Sequence, residues 1–239
     1  MGLIDNIINE CDIALKTLSN TKPGTNREYP AQDSQKQDHE LSKEEKNLSI
    51  QMMRVNLAGE VAAQALYRGQ AMVCKDEEIK KHLIDAGEEE TDHLIWCKKR
   101  LDELNGNASI FNPIWYAGSF AIGAIFGNMG EKVSLGFVEE TEKQVVKHID
   151  RHLDKISPKD RDTINILKTM REDEDTHAKQ AEENGSEELK KPTKKIMYEC
   201  NDSAFIRHVL QNSKTPVERI YALTALLRIS VHKFVSTAK

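Results

Sequence analysis

Residues 88–93 read EEETDH and residues 172–177 read EDEDTH. Each stretch places a Glu three positions before a His: Glu90 before His93, and Glu174 before His177. The chain has 39 acidic residues and eight His in 239 positions, so about one such pair is expected by chance. The repeat alone therefore decides nothing, and its surroundings must.

Working outward, residues 43–73 and 77–104 read as two helices broken at VCKDEE, and 131–155 and 159–184 as two more broken at ISPKD. Ser42 followed by Glu45 is a capping-box start, while Asn105-Gly106 and Asn184-Gly185-Ser186 are helix stops. Alternating β-branched runs are absent. The fold class is all-α: two hairpins forming an antiparallel four-helix bundle, with an apolar crossover helix and extra N- and C-terminal helices.

In a hairpin, residues equally far from the turn sit at one height. Lys75, midway between Glu60 and Glu90, lies in the first break, and Pro158, midway between Glu142 and Glu174, lies in the second. Residues at i and i+3 share a helix face. Each hairpin can therefore aim two carboxylates and one imidazole at the same level: Glu60, Glu90 and His93 in one, Glu142, Glu174 and His177 in the other. Such oxygen and nitrogen donors suit transition-metal ions. One Glu from each of two helices plus Glu-x-x-His from each of the other two is the di-iron or di-manganese constellation of ferritin-like bundles. Four clustered carboxylates need cations, because like charges repel strongly in a low-dielectric core. The competing possibility is that these are solvated acids on outer helix faces. Glu139, one turn before Glu142, is the rival at that position.

The acid preceding each paired Glu, Glu89 or Asp173, can accept the outer ring N–H of the His from the other half. His148, under two turns beyond Glu142, either bonds near the site or is exposed. Glu88, Glu139 and Glu140 are assigned to solvent.

The formal net charge of −5 and the lack of a basic run with interleaved aromatics exclude a general nucleic-acid binder. Four Cys without a paired spacing read as free thiols in a reducing compartment. The N-terminus carries acids rather than a basic leader, and reads as an amphipathic helix over 3–18 followed by a polar linker over 19–40. Residues 105–130 are apolar except near the ends and hold Trp115, Tyr116, Phe120 and Phe126. Its most apolar core, Trp115–Phe126, is 12 residues, short of the roughly 20 that cross a bilayer. It reads as an interfacial segment lying in one leaflet, against the alternative of a buried connecting helix.

MRVNLAGEVAAQALYRGQA (53–71), AGEEETDHLIWCKKRL (86–101), NPIWYAGSFAIGA (112–124), SLGFVEETEKQV (134–145) and MREDEDTH (170–177) together resemble the 3-demethoxyubiquinol hydroxylase family of ubiquinone biosynthesis. The likeness covers about residues 3–18 and 41–197. It implies a peripheral di-iron monooxygenase on the cytoplasmic face of the inner or cell membrane. Such an enzyme uses two iron ions and O2 to hydroxylate a polyprenyl quinol ring, with electrons from NADH, a reductase or the quinol itself. The resemblance places the metal ligands on Glu60, Glu90, His93, Glu142, Glu174 and His177. It favours Glu142 over Glu139, makes Glu90 and Glu174 the bridging pair, and matches His148 to a family His close to the site. Two departures stand out. Leu57 occupies a place where many members carry His, and residues 198–239 do not look familial, although 216–235 form an amphipathic pattern.

The expected organisation is an N-terminal helix and linker (1–40), a catalytic bundle (41–197) and a divergent helical tail (198–239). Expected partners are the membrane-dissolved quinol, the membrane surface through 110–130, and a second copy or other ubiquinone-biosynthesis proteins. The alternatives are a soluble ferritin-like ferroxidase or iron-binding protein, and a non-enzymatic lipid-binding bundle.

Overall fold

The computed structural model describes residues 3–31, 41–189 and 194; the expected tail over 198–239 lies outside the described residues. Six helices follow in order: α1 (Leu3–Leu18), α2 (Lys43–Val73), α3 (Glu77–Glu103), α4 (Asn112–Asn128), α5 (Glu131–Leu153) and α6 (Arg161–Glu183). The described residues contain no strand. Helices α2 and α3 form one hairpin and α5 and α6 the other, with α3 meeting α6, so the two hairpins build a ferritin-like bundle.

Local chemistry sets the helix ends. At the start of α2 the Ser42 N–H donates to Glu45 Oε2 at 2.7 Å, while the Glu45 N–H donates to Ser42 Oγ at 3.1 Å. Asp76 caps α3 and Asp160 caps α6. Both α3 and α6 stop with the same device. Asn105 (φ 58°) and Gly185 (φ 86°) turn left-handed, and the next N–H returns to the helix: Gly106 to Leu101 O at 2.7 Å, Ser186 to Ala181 O at 3.1 Å. These stops end the second arm of each hairpin, while the turns capped by Asp76 and Asp160 set the height of each ligand-type side chain.

The crossover differs in part from its expectation. Residues 112–128 are a regular helix whose Trp115, Tyr116, Ile122 and Phe126 are buried. The aromatic residues thus face protein, and Ile110, Ile114, Ile125 and Met129 are the exposed apolar side chains. The approach of α4 to α2 is close enough to need glycine on both sides. A Cβ at Gly69 would lie 2.1 Å from Phe120 O, and one at Gly123 would lie 2.2 Å from Leu66 O.

The described part of the polar linker packs on the bundle. Residues 19–31 lie as a strap along the outer ridge of α3. Lys22 pairs with Glu88 at 3.0 Å, the Thr25 N–H donates to Asp92 Oδ1 at 2.8 Å, and Tyr29 OH donates to Glu103 Oε2 at 3.0 Å. The strap's partners recur at helical spacing on α3, which composition alone does not reveal. Helix α1 is held by Glu10, which takes the Arg68 Nε–H at 3.0 Å.

Candidate metal centre

Helix α2 contributes Glu60, α3 Glu90 and His93, α5 Glu142, and α6 Glu174 and His177, all buried. Their exposures run from 0% to 3%, which removes the possibility of solvated acids on outer faces. Glu60, Glu90, His93 and Glu174 offer donor atoms lying within 4.8 Å of one another.

The two imidazoles organise the site. His93 Nδ1 is 3.4 Å from Glu90 Oε2 and 3.3 Å from Glu174 Oε1. His177 Nδ1 is 3.3 Å from Glu90 Oε1 and 3.7 Å from Glu174 Oε2. Each of the two central carboxylates thus turns one oxygen toward each His. Glu60 Oε2 flanks His93 Nδ1 at 3.5 Å. Glu142 Oε1 accepts from Tyr67 OH at 2.9 Å. The outer ring nitrogens are held crosswise between halves: His93 Nε2 by Asp173 Oδ2 at 2.9 Å, and His177 Nε2 by Glu89 Oε2 at 3.0 Å.

The inner atoms are different. His93 Nδ1, His177 Nδ1, both oxygens of Glu90, and Oε2 of Glu60, Glu142 and Glu174 are buried without an aligned hydrogen-bond partner. A buried unsatisfied polar atom costs about 1–3 kcal/mol, more when charged. Seven such atoms, on six buried side chains from four helices, call for something that they bind. Two divalent cations fit this donor set in charge and chemistry.

Electrostatics points the same way. At about 4 Å and an effective dielectric near 20, each like-charged pair costs about 4 kcal/mol. A single hydrogen bond, worth about 1 kcal/mol net, does not offset that. With protein atoms alone, protons must carry the compensation. Burial, reinforced by the charges of Glu90 and Glu174, pushes Glu60 well above the carboxylate range. Burial together with Glu174 and Glu90 does the same to Glu142. Burial also disfavours the charge on Glu90, but His177 and His93 overcome it and hold its carboxyl well below the usual range. Both His rings are raised, because the surrounding carboxylates outweigh burial.

The other candidate residues fall as follows. His148 packs its ring against that of His152, with centroids 4.1 Å apart, one turn further from Glu142. Glu139 points to Lys143 and Ser186. Glu140, assigned to solvent from sequence, is instead buried, with Lys194 at 3.5 Å. Cys97 lies one turn beyond His93 but faces Met170, Sγ to Sδ 3.7 Å. Leu57 is buried among apolar side chains of the core. Two residues escaped sequence reading. Tyr67 sits two turns beyond Glu60, a spacing that could have found it. Arg27, which contacts Asp173 from the strap at 2.7 Å, carried no sequence signal.

Residues 47–204 match the family described as ubiquinone biosynthesis protein COQ7. A 3-demethoxyubiquinol 3-hydroxylase of Nitrosococcus oceani is 49% identical over 197 residues, covering 82% of this chain and 91% of its own. The protein of that name from Legionella pneumophila (strain Lens) is 49% identical over 197 residues, covering 82% and 92%. That of Polaromonas sp. (strain JS666) is 44% identical over 194 residues, covering 81% and 91%. With the bundle, the buried Glu-His cluster and these likenesses in agreement, the chain belongs to the COQ7 family of ubiquinone biosynthesis proteins.

Proposed function

We propose that this chain is a 3-demethoxyubiquinol 3-hydroxylase, an O2-dependent di-iron monooxygenase. The observation that carries the reading is the set of seven inward polar atoms, from six side chains on four helices, that have no aligned hydrogen-bond partner. The name shared by relatives that are 44–49% identical supplies the substrate class.

Glu60, Glu90, His93, Glu142, Glu174 and His177 would hold the two ions, with Glu90 and Glu174, each turning one oxygen to each His, at the centre of the set. Asp173 and Glu89 hold the Nε2–H of each ring, which leaves Nδ1 as the metal-binding nitrogen and fixes the tautomer. When bound, the iron pair would supply reduction of O2, placing one oxygen atom on the ring carbon and releasing the other as water at the expense of two electrons and two protons. The chain's part is to bind, orient and keep water out. Tyr67, which donates to Glu142, sets that carboxylate's angle. A small cavity of about 10 Å³ between α2 and α5, walled by Ala63, Leu66, Phe137 and Val138, ends on Glu142. The quinol head enters past the 110–130 segment while its polyprenyl tail stays in lipid.

Among the described residues no helix is long and apolar enough to cross a membrane. Ile110 (85% exposed) and Ile114 (60%) support contact of the 110–130 segment with a membrane surface, and the family likeness points to its cytoplasmic face. Quinone profiling of a deletion strain tests the function. The demethoxyquinol intermediate should accumulate, wild-type complementation should clear it, and Glu174→Ala should not. Normal ubiquinone in the deletion strain would falsify the assignment.

A further inference from the structure

We propose that Arg27 is a positioning residue for the metal centre, so that the strap before the bundle governs how tightly cations are held. The inference rests on the metal reading above and concerns a residue outside the four ligand-bearing helices.

The geometry is direct. Arg27 Nη2 lies 2.7 Å from Asp173 Oδ2, the same oxygen that faces His93 Nε2 at 2.9 Å. Glu89 holds His177 Nε2 at 3.0 Å in the corresponding place on the other hairpin. Of the two acids that orient the imidazoles, Asp173 is the one that Arg27 pairs with from the strap. Its guanidinium also lies 4.9 Å from the centroid of Trp96, whose ring is 5.5 Å from that of His93.

The strap is built to deliver this side chain. Thr25 is tied to Asp92, and Tyr29 to Glu103, on either side of Arg27. A Cβ at Gly24 would fall 2.2 Å from Asp92 Oδ1, so a larger residue there would displace the carboxylate that Thr25 bonds. Asn26, at φ 66°, makes the left-handed step just before Arg27. Removing the charge leaves Asp173 unbalanced, and His93 loses the support that aims Nδ1 inward.

The test is anaerobic Fe(II) titration of the full chain, with metal-free unfolding midpoints measured alongside. Wild type should bind two ions, and Glu174→Ala should lose that stoichiometry. Arg27→Gln should bind about tenfold more weakly. Arg27→Lys, which keeps the charge, should stay within about threefold. In an Asp173→Asn background the Arg27→Gln effect should largely vanish, because a packing role would persist there while a role through Asp173 would not. The proposal is overturned if Arg27→Gln binds like wild type, if Arg27→Lys is as weak as Arg27→Gln, or if the loss is undiminished in the Asp173→Asn background. If Arg27→Gln does not fold, a tenfold loss in a folded Arg27→Lys overturns it equally. A wild-type chain that binds no iron sinks the metal reading itself, whereas two bound ions with an indifferent Arg27→Gln sink this proposal alone.

Discussion

His93 and His177 each divide their two ring nitrogens between different tasks. Nε2 meets a carboxylate from the opposite hairpin, and Nδ1 meets the central glutamates. Glu89→Gln preserves the shape and removes the charge that orients His177. Fe(II) affinity should fall by about tenfold to a hundredfold, read by anaerobic titration; an unchanged affinity would make Glu89 a bystander. The protons held by Glu60, Glu142 and the two rings compete with metal. Loading Fe(II) near pH 7 should therefore acidify a weakly buffered sample. A pH trace that does not move would mean that cations do not displace those protons.

The helices turn such single contacts into a fixed spacing. Two left-handed stops and a capping box are legible in the amino-acid sequence alone, because each uses residues whose backbone or side-chain chemistry allows little else. The glycines of α4 are legible there only as small residues. What makes them necessary is the backbone of α2, 2.2 Å from where a Gly123 Cβ would sit. Gly123→Ala should lower stability by about 1–3 kcal/mol, a fall in the unfolding midpoint of roughly 2–10 °C. The outer side of the same segment is a separate matter. Ile110→Glu with Ile114→Glu should reduce flotation with anionic liposomes while leaving the midpoint within about a degree, since both side chains are exposed. Undiminished flotation would remove this segment from the membrane contact.

For the molecule as a whole, the metal centre sets how stability depends on pH. Glu60 and Glu142 have folded-state pKa values raised above the ordinary 4.5. Their contribution is complete below that value and is lost as pH rises through the raised one. His93 and His177 are raised above 6.5, so their contribution is likewise lost with rising pH. Glu90 is depressed and acts oppositely, losing its contribution only as pH falls through its low value. Metal-free protein should therefore melt at progressively lower temperature from about pH 6 to about pH 9. Iron-loaded protein, with those protons displaced, should not follow it. The gap between the two midpoints should widen, and parallel curves in a thermal-shift series would contradict this.

The sequence by itself determined the helical class, the hairpin breaks and the six inward side chains. These depend on short-range periodicity, cap chemistry and equal distances from a turn, all properties of neighbours along the chain. It could not place Glu140, which it assigned to solvent and which is buried, nor the aromatic residues of 112–128, whose apolar character suits lipid and protein interior equally. Nor could it reveal that residues 19–31 bind α3, or that Arg27 reaches Asp173 on α6. Those outcomes rest on contacts between segments distant in sequence, where register, crossing distance and the pairing of opposite charges exist only once the helices have packed.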